Sequence, residues 1–139
     1  MNQEYSVKSV EETWKVAAEF AHELQPGDVV CLEGDLGAGK TTFVQGVAAA
    51  LGARRAATSP TFCLVTEHAT PTRLLVHMDL YRLHGPDDVL TIGWEDYLAR
   101  DAVMLVEWPD RAAGLIPANA RHVALIQGDD EDSRTIRFS

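Results

Sequence analysis

Residues 34–41 are the part of the chain best suited to bind a phosphate. They read Gly-Asp-Leu-Gly-Ala-Gly-Lys-Thr, which fits the pattern G-x-x-x-x-G-K-[ST]. In this pattern the glycines let backbone N–H groups approach a polyphosphate, Lys40 places a positive charge on the β- and γ-phosphates, and the Thr41 hydroxyl coordinates Mg²⁺. With glycine at about 7% of residues, a chance match in a chain this long is expected on the order of 1% of the time or less. The motif therefore predicts a nucleotide-binding P-loop.

The segments on either side of this loop have the patterns that a P-loop requires. Residues 28–33 read as a buried strand that enters the loop, and residues 42–51 read as a helix that leaves it and ends at Gly52. A helix that begins there directs the positive end of its dipole at the same anion.

Two carboxylates, Asp79 and Glu107, directly follow apolar runs at residues 74–78 and 103–106. A P-loop needs a carboxylate that orients Mg²⁺ or the attacking water, usually at the end of such a strand. Strands also commonly end in acidic residues because the loops that follow them are exposed to solvent. Two such residues beside a strong P-loop motif favour a functional role for both. One would hold the metal, directly or through water, and the other would polarise the attacking water. The pattern leaves open which does which.

Other polar side chains nearby have simpler interpretations. His77 and His84 stand where a histidine is more often packed or hydrogen-bonded than catalytic. Arg82 fits either the balancing of phosphate charge or a surface salt bridge. The chain has no N-K-x-D pattern, which guanine-specific GTPases use, so adenine is the expected base. Its scattered arginines weaken the alternative of a small P-loop kinase, which needs an Arg-rich lid.

The first helix is marked by its capping residues. Ser9 and Glu12 form a capping-box pattern, and the helical spacing of apolar residues continues until Pro26-Gly27. Trp14 is expected to face the core. Thr13 is either a solvated helix residue or a contact to a nucleotide.

The rest of the chain alternates strands and helices and contains two hairpins. We expect the first hairpin between strands at 62–66 and 74–78, and the second between strands at 122–127 and 134–138. Residues 4–7 suggest a short edge strand. This order predicts an α/β fold, a three-layer P-loop NTPase with a mixed, mostly parallel central sheet and antiparallel hairpins.

Length, composition and charge narrow the classes of protein further. The 139 residues are expected to form a single domain, 1–139, with an ample core. No apolar run approaches the ~20 residues of a membrane span, and the first five residues do not resemble a signal peptide, so a cytoplasmic protein without membrane contact is expected. The net charge of −9 argues against direct binding of nucleic acid by this chain, although a basic partner could bind it. Cys31 and Cys63 lie in apolar runs and are expected to be buried thiols rather than a disulfide.

Four blocks of residues together resemble one known family. They are the loop at 34–42, Ser-Pro-Thr-Phe at 59–62, His-x-Asp-Leu-Tyr-Arg-Leu at 77–83 and Glu-Trp-Pro-Asp-Arg at 107–111. In this order and spacing, over nearly the whole chain, they closely resemble the bacterial TsaE family, also called YjeE. Any block after the first is weak alone, but the four together are highly specific.

This resemblance implies a small ATPase that uses ATP/ADP and Mg²⁺ and works with the proteins TsaB and TsaD. Together these transfer a threonylcarbamoyl group to the adenosine beside the anticodon in tRNAs that read codons beginning with A. The family is not itself the transferase, and its ATP binding and hydrolysis reset or remodel the TsaB–TsaD pair. The tRNA contact would then belong to the partners, in agreement with the charge of −9.

The resemblance also implies roles for individual residues. The catalytic set is Lys40, Asp79 and Glu107, in which Asp79 is needed for hydrolysis, and the Mg²⁺ ligands are Thr41 and Glu107. The nucleotide contacts are Thr13, Gly37, Ala38, Gly39, Lys40, Thr41, Thr42, Trp108 and Arg134. Residues 59–62 resemble a switch-type loop. The chain departs from the family at His68, where a Tyr is usual, which puts an aromatic contact at that position in doubt.

Three functions remain open from sequence. The leading one is a partner-dependent ATPase in tRNA modification. The second is a nucleotide-gated binding module without catalysis, in which ATP only holds a conformation that TsaB–TsaD recognises. The third is a small P-loop kinase that transfers phosphate to an acceptor.

Overall fold

The chain forms one mixed β-sheet with helices on both faces, as seen in a computed structural model that describes residues 3–34, 39–53 and 65–139. The strands are β1 (Gln3–Val7), β2 (Val29–Glu33), β3 (Val65–Ala69), β4 (Leu74–Asp79), β5 (Val103–Glu107), β6 (Arg121–Gln127) and β7 (Arg134–Phe138). The helices are α1 (Val10–Ala21), α2 (Lys40–Ala50), α3 (Pro86–Thr91) and α4 (Trp94–Ala99), followed by a 3₁₀ turn at Pro109–Ala112. The predicted roles of Gly37, Ala38, Cys63 and the segment 59–62 concern positions outside the described residues.

The strand order within the described residues is β1-β7-β6-β2-β5-β4-β3. The four central strands run parallel to one another, and the antiparallel pairs lie toward the two edges of the sheet. The prediction of a mixed sheet with a parallel centre and two hairpins is therefore confirmed. Because parallel strands end at the same edge, the carboxyl ends of β2, β4 and β5 come together there.

The two faces of the sheet carry separate hydrophobic cores. One core lies under α1 and α2, where the rings of Phe20, Phe43 and Phe138 are in mutual contact at centroid distances of 5.0–6.1 Å. The other lies under α3 and α4 and is built around the fully buried Trp94. All of β5 is buried because both of its faces are covered. This is the three-layer arrangement expected from the sequence.

Helix α1 begins where the capping box predicts and ends earlier than expected. The Ser9 hydroxyl accepts from the Glu12 amide at 3.1 Å, and the Glu12 carboxylate accepts from the Lys8 amide at 3.0 Å. The helix ends at Ala21, although the apolar spacing suggested that it continues toward Pro26. Leu24 is buried nonetheless, because the chain turns back onto the core after the helix.

The expected orientation of α1 was wrong. Trp14 is 42% exposed rather than in the core, and Thr13 is only 4% exposed, so it is not a solvated helix residue. The other interpretation of Thr13, a contact to a nucleotide, stays a prediction. The buried face of α1 is centred on Thr13, Ala17 and Phe20. The ring of Phe20 packs against the rings of Phe43 in α2 and Phe138 in β7. This aromatic cluster determines which face of α1 points to the core.

The contact between α1 and α2, called the helix seam below, explains why Trp14 does not face the core. A Cβ on Gly46 would lie 2.7 Å from Cβ of Ala17 and 3.1 Å from Cα of Trp14. The two helices therefore approach at their smallest residues, and the bulky indole of Trp14 is displaced to the side of the contact.

Gly46→Ala is expected to lower the free energy of unfolding by about 1–2 kcal/mol. Overpacking typically costs about 1–3 kcal/mol, and Ala regains up to about 1 kcal/mol of helix propensity. Urea denaturation of the variant and the wild type measures the difference.

Gly85→Ala is the matched control for this substitution. A Cβ on Gly85 would meet no described heavy atom within 4 Å, and its φ of 175° is extended backbone. Equal stability of the Gly46 and Gly85 variants would show that the helix seam tolerates a methyl group.

Candidate functional site

The carboxyl edge of the parallel strands brings Asp79 and Glu107 side by side. They end β4 and β5, and the strand register pairs them directly. The Leu80 amide donates to the Glu107 carbonyl at 3.1 Å, which ties the two strand ends together. Glu107 is 5% exposed, so its side chain does not simply point into solvent at the end of a strand. Asp79 is half-buried, and its Oδ1 accepts from the Tyr81 amide at 3.1 Å.

Each carboxylate oxygen of Glu107 has its own partner. Its Oε1 lies 3.5 Å from Nζ of Lys40, and its Oε2 lies 2.5 Å from Nε2 of His77. Burial raises the pKa of Glu107, but the hydrogen bond and charge of His77 and the charge of Lys40 together lower it by more. The pKa of Glu107 therefore lies below its ordinary value, and the group is ionised at neutral pH.

Lys40 reaches this carboxylate from the first residue of α2. The preceding Gly39 has a φ of 99°, a left-handed conformation that favours glycine and turns the chain into the helix. Among the described residues no side chain caps this end of α2, and its first turn contains no acidic residue. The site thus combines a buried ammonium group with an uncapped positive helix end, which is the chemistry that binds anions.

Trp108 covers Lys40 because the backbone turns sharply after β5. Its φ of 59° is left-handed, and Pro109 then begins the 3₁₀ turn. The ammonium of Lys40 lies 5.2 Å from the centroid of the Trp108 ring, within the range of a cation–π contact. The exposed Tyr81 packs against the same indole with a centroid distance of 4.9 Å.

A cavity of about 480 Å³ opens beside Lys40 and Trp108. The residues that line it come from β2 and the residue after it, the first residue of α2, the segment between β5 and β6, and β6: Cys31, Leu32, Glu33, Gly34, Lys40, Trp108, Pro109, Asp110, Ile116 and His122. Cys31 is a buried thiol, as predicted. Burial, and then the charge of Glu33, raise the pKa of Cys31 to about 11, so this thiol is a poor nucleophile.

Three of the remaining predicted site residues lie in the first turn of α2 or beside Gly39, and a fourth lies on α1. Thr41 and Thr42 are half-buried in its first turn. Arg134, at the start of β7, has its Nε 3.8 Å from the point where a Cβ on Gly39 would lie, and it donates to the carbonyls of Glu131 and Ser133. Thr13 is buried on the face of α1 that packs against α2.

His77 and His68 are buried in environments that the sequence did not predict. His77 was interpreted as packed or hydrogen-bonded, and it is both, but its partner Glu107 was not foreseen. The His-x-Asp spacing could have indicated this contact. Residues two apart on a strand lie on the same face, so His77 shares a face with Asp79, which pairs with Glu107. His68 is buried, and burial, followed by the charge of His77, lowers the pKa of His68.

Comparisons with known proteins identify a family and several similar proteins. The family model described as "Threonylcarbamoyl adenosine biosynthesis protein TsaE" matches residues 7–136. The tRNA threonylcarbamoyladenosine biosynthesis protein TsaE of Bacillus subtilis (strain 168) is 40% identical over 129 residues, which are 93% of this chain and 80% of that protein. The protein of the same name from Aquifex aeolicus (strain VF5) is 43% identical over 110 residues, 78% of this chain and 77% of that protein.

A solved structure is also similar. The crystal structure of Bacillus subtilis YdiB has a TM-score of 0.80 and 33% sequence identity, and the match covers 99% of this chain and 84% of that one.

The fold, together with the sequence motif at residues 34–41 that leads into α2, defines an α/β protein of the P-loop class. The family match and the identities above show, further, that the chain belongs to the TsaE family, which is involved in tRNA threonylcarbamoyladenosine biosynthesis. None of the helices in the described parts of the chain has the length and apolar character needed to cross a membrane.

Glu107→Gln is expected to make the free energy of unfolding less sensitive to acid. Because the folded-state pKa of Glu107 lies below its ordinary 4.5, the ionised carboxylate stabilises the fold fully above that pH. This stabilisation is lost as the pH falls through the folded-state value. Urea denaturation over a pH series should therefore show a steeper acid decline in the wild type than in the variant.

The exposed Glu19 on α1 provides the matched control for this series. Glu19→Gln should retain the slope of the wild type. An equally steep decline in Glu107→Gln would contradict the assigned direction of the Glu107 pKa.

Proposed function

We propose that this chain is the ATP-binding and ATP-hydrolysing component that acts with TsaB and TsaD in tRNA threonylcarbamoyladenosine biosynthesis. One observation carries the proposal: the buried ion pair of Lys40 and Glu107 at the start of α2. Family membership supports the biological process, and this ion pair supports the chemistry.

The residues around the ion pair fit a magnesium nucleotide. Phosphate groups bind readily at a helix N-terminus, where Lys40 adds a compact positive charge. Mg²⁺ is usually bound through one or two carboxylates together with substrate phosphates, and Glu107 and the Thr41 hydroxyl are the proposed ligands from the protein. When bound, the ion neutralises negative charge on the phosphates.

Asp79 is the proposed acceptor for the attacking water. It lies beside Glu107 in the strand register but is less buried, and it has no ion pair among the described residues. One of its oxygens accepts from the Tyr81 amide, which holds the side chain in place. The proposed contacts to the rest of the nucleotide are Thr13, Gly37, Ala38, Gly39, Thr42, Trp108 and Arg134.

The charge of the chain supports a division of labour with its partners. At −9 the protein lacks the basic footprint on which nucleic-acid binding depends, so the tRNA contact is assigned to the TsaB–TsaD pair. ATP binding and hydrolysis by this chain would then reset or remodel that pair between turnovers.

Lys40→Ala is expected to weaken ATP binding by about tenfold or more. A hydrogen bond to a charged group contributes about 1.5–3 kcal/mol, and the variant loses both the bond and the positive charge. Calorimetric titration with ATP measures the affinity. Lys15→Ala, which removes an exposed lysine on α1, is the matched control and should bind as the wild type does.

Steady-state ATP hydrolysis, measured with and without a matched TsaB–TsaD pair, distinguishes the candidate functions. Strong stimulation by the pair supports the partner-dependent ATPase. Tight ATP binding without stimulation would instead support a nucleotide-gated binding module. Transfer of phosphate to an added acceptor would support a small P-loop kinase.

Asp79→Asn is expected to spare ATP binding and to lower the hydrolysis rate by about 100-fold or more, since a positioned general base contributes about 10²–10⁴-fold. The same titration and hydrolysis assays test this. Asp87→Asn, which alters an exposed carboxylate on α3, should change neither quantity. Loss of binding in Asp79→Asn would make Asp79 a metal ligand instead.

A further inference from the structure

His77 occupies an unusual position for a polar side chain. It lies in the middle of β4, is 0% exposed, and faces the same core as Leu75 and Leu105. Its Nδ1 is buried and has no hydrogen-bond partner among the described residues. Burying an unpaired polar atom costs stability, so packing alone disfavours an imidazole here. The hydrogen bond from the imidazole to Glu107 is the interaction that offsets this cost.

This bond defines the orientation of the Glu107 carboxylate. Nε2 of His77 lies 2.5 Å from Oε2, while Oε1 lies on the side of Lys40. An ionised carboxylate only accepts hydrogen bonds, so Nε2 must carry the proton. His77 therefore holds one oxygen of Glu107, and the other oxygen faces Lys40, which lines the cavity.

We propose that His77 is a positioning residue that fixes the Glu107 carboxylate so that Oε1 is available to Mg²⁺. The inference rests on the proposed function, in which Glu107 ligates the metal. Without the bond from Nε2, the carboxylate is free to rotate about its last torsion, so neither oxygen is held toward the metal position. Loss of such an outer partner typically weakens metal binding by about 10–100-fold.

Two substitutions separate positioning from packing. The amide nitrogen of Gln is as many bonds from Cα as Nε2 of His, whereas that of Asn is one bond shorter and corresponds to Nδ1. His77→Gln can therefore keep the bond to Glu107, and His77→Asn cannot. Both variants place an amide in the same buried site, and thermal unfolding of each gives a temperature at which both are folded for the titrations below.

The first measurement is ADP affinity by titration calorimetry, in excess EDTA and over a series of Mg²⁺ concentrations. We expect His77→Asn to need about 10–100-fold more Mg²⁺ than the wild type, with its affinity in EDTA changed less than about twofold. His77→Gln should stay close to the wild type. His84→Asn, at an exposed position, is the matched control. Equal Mg²⁺ requirements in His77→Asn and the wild type, or equal losses in the two His77 variants, would overturn the proposal.

The second measurement does not depend on nucleotide or metal. Two-bond ¹H–¹⁵N spectra of the protein prepared without nucleotide should show His77 protonated at Nε2, with a downfield proton that is lost in Glu107→Ala. A His77 protonated only at Nδ1 would overturn the inference. If the wild type binds no nucleotide, the proposed function fails, and this spectrum still decides whether His77 holds Glu107.

Discussion

The buried carboxylate of Glu107 is the group on which the rest of the site depends. A charge removed from water is tolerated only with partners in good geometry, and here they come from two different elements. Lys40 belongs to α2, His77 to β4, and Glu107 itself to β5. The site therefore forms only when the parallel register of the two strands and the start of the helix are correct together. Its geometry is thus tied to the fold of the central sheet.

Much of the fold could be predicted because its signals are local. Apolar runs mark the central strands, and turn residues mark both hairpins. The ends of the helices were less well predicted, because the last turn depends on how the chain packs after it. The orientation of α1 was missed for a related reason: apolar spacing counts Trp14 and Ala17 alike, whereas the structure selects the residue small enough to face Gly46.

The site was partly predictable in the same sense. The loop motif marks Lys40 from its immediate neighbours, and the ends of apolar runs mark Asp79 and Glu107. The bond between His77 and Glu107 joins residues 30 apart in sequence, and only the register of two parallel strands brings them together. The left-handed backbone of Trp108 is similarly hidden, because no glycine marks that turn.

The close approach of α1 and α2 has a mechanical consequence. Where Ala17 and Gly46 touch, no long side chain separates the two helices, so at that point they are packed backbone against backbone and are expected to move together. The end of α2 that carries Lys40 cannot slide along the sheet without carrying α1 and the aromatic cluster of Phe20 with it. A displacement of the start of α2 would therefore be shared with α1 rather than confined to one helix.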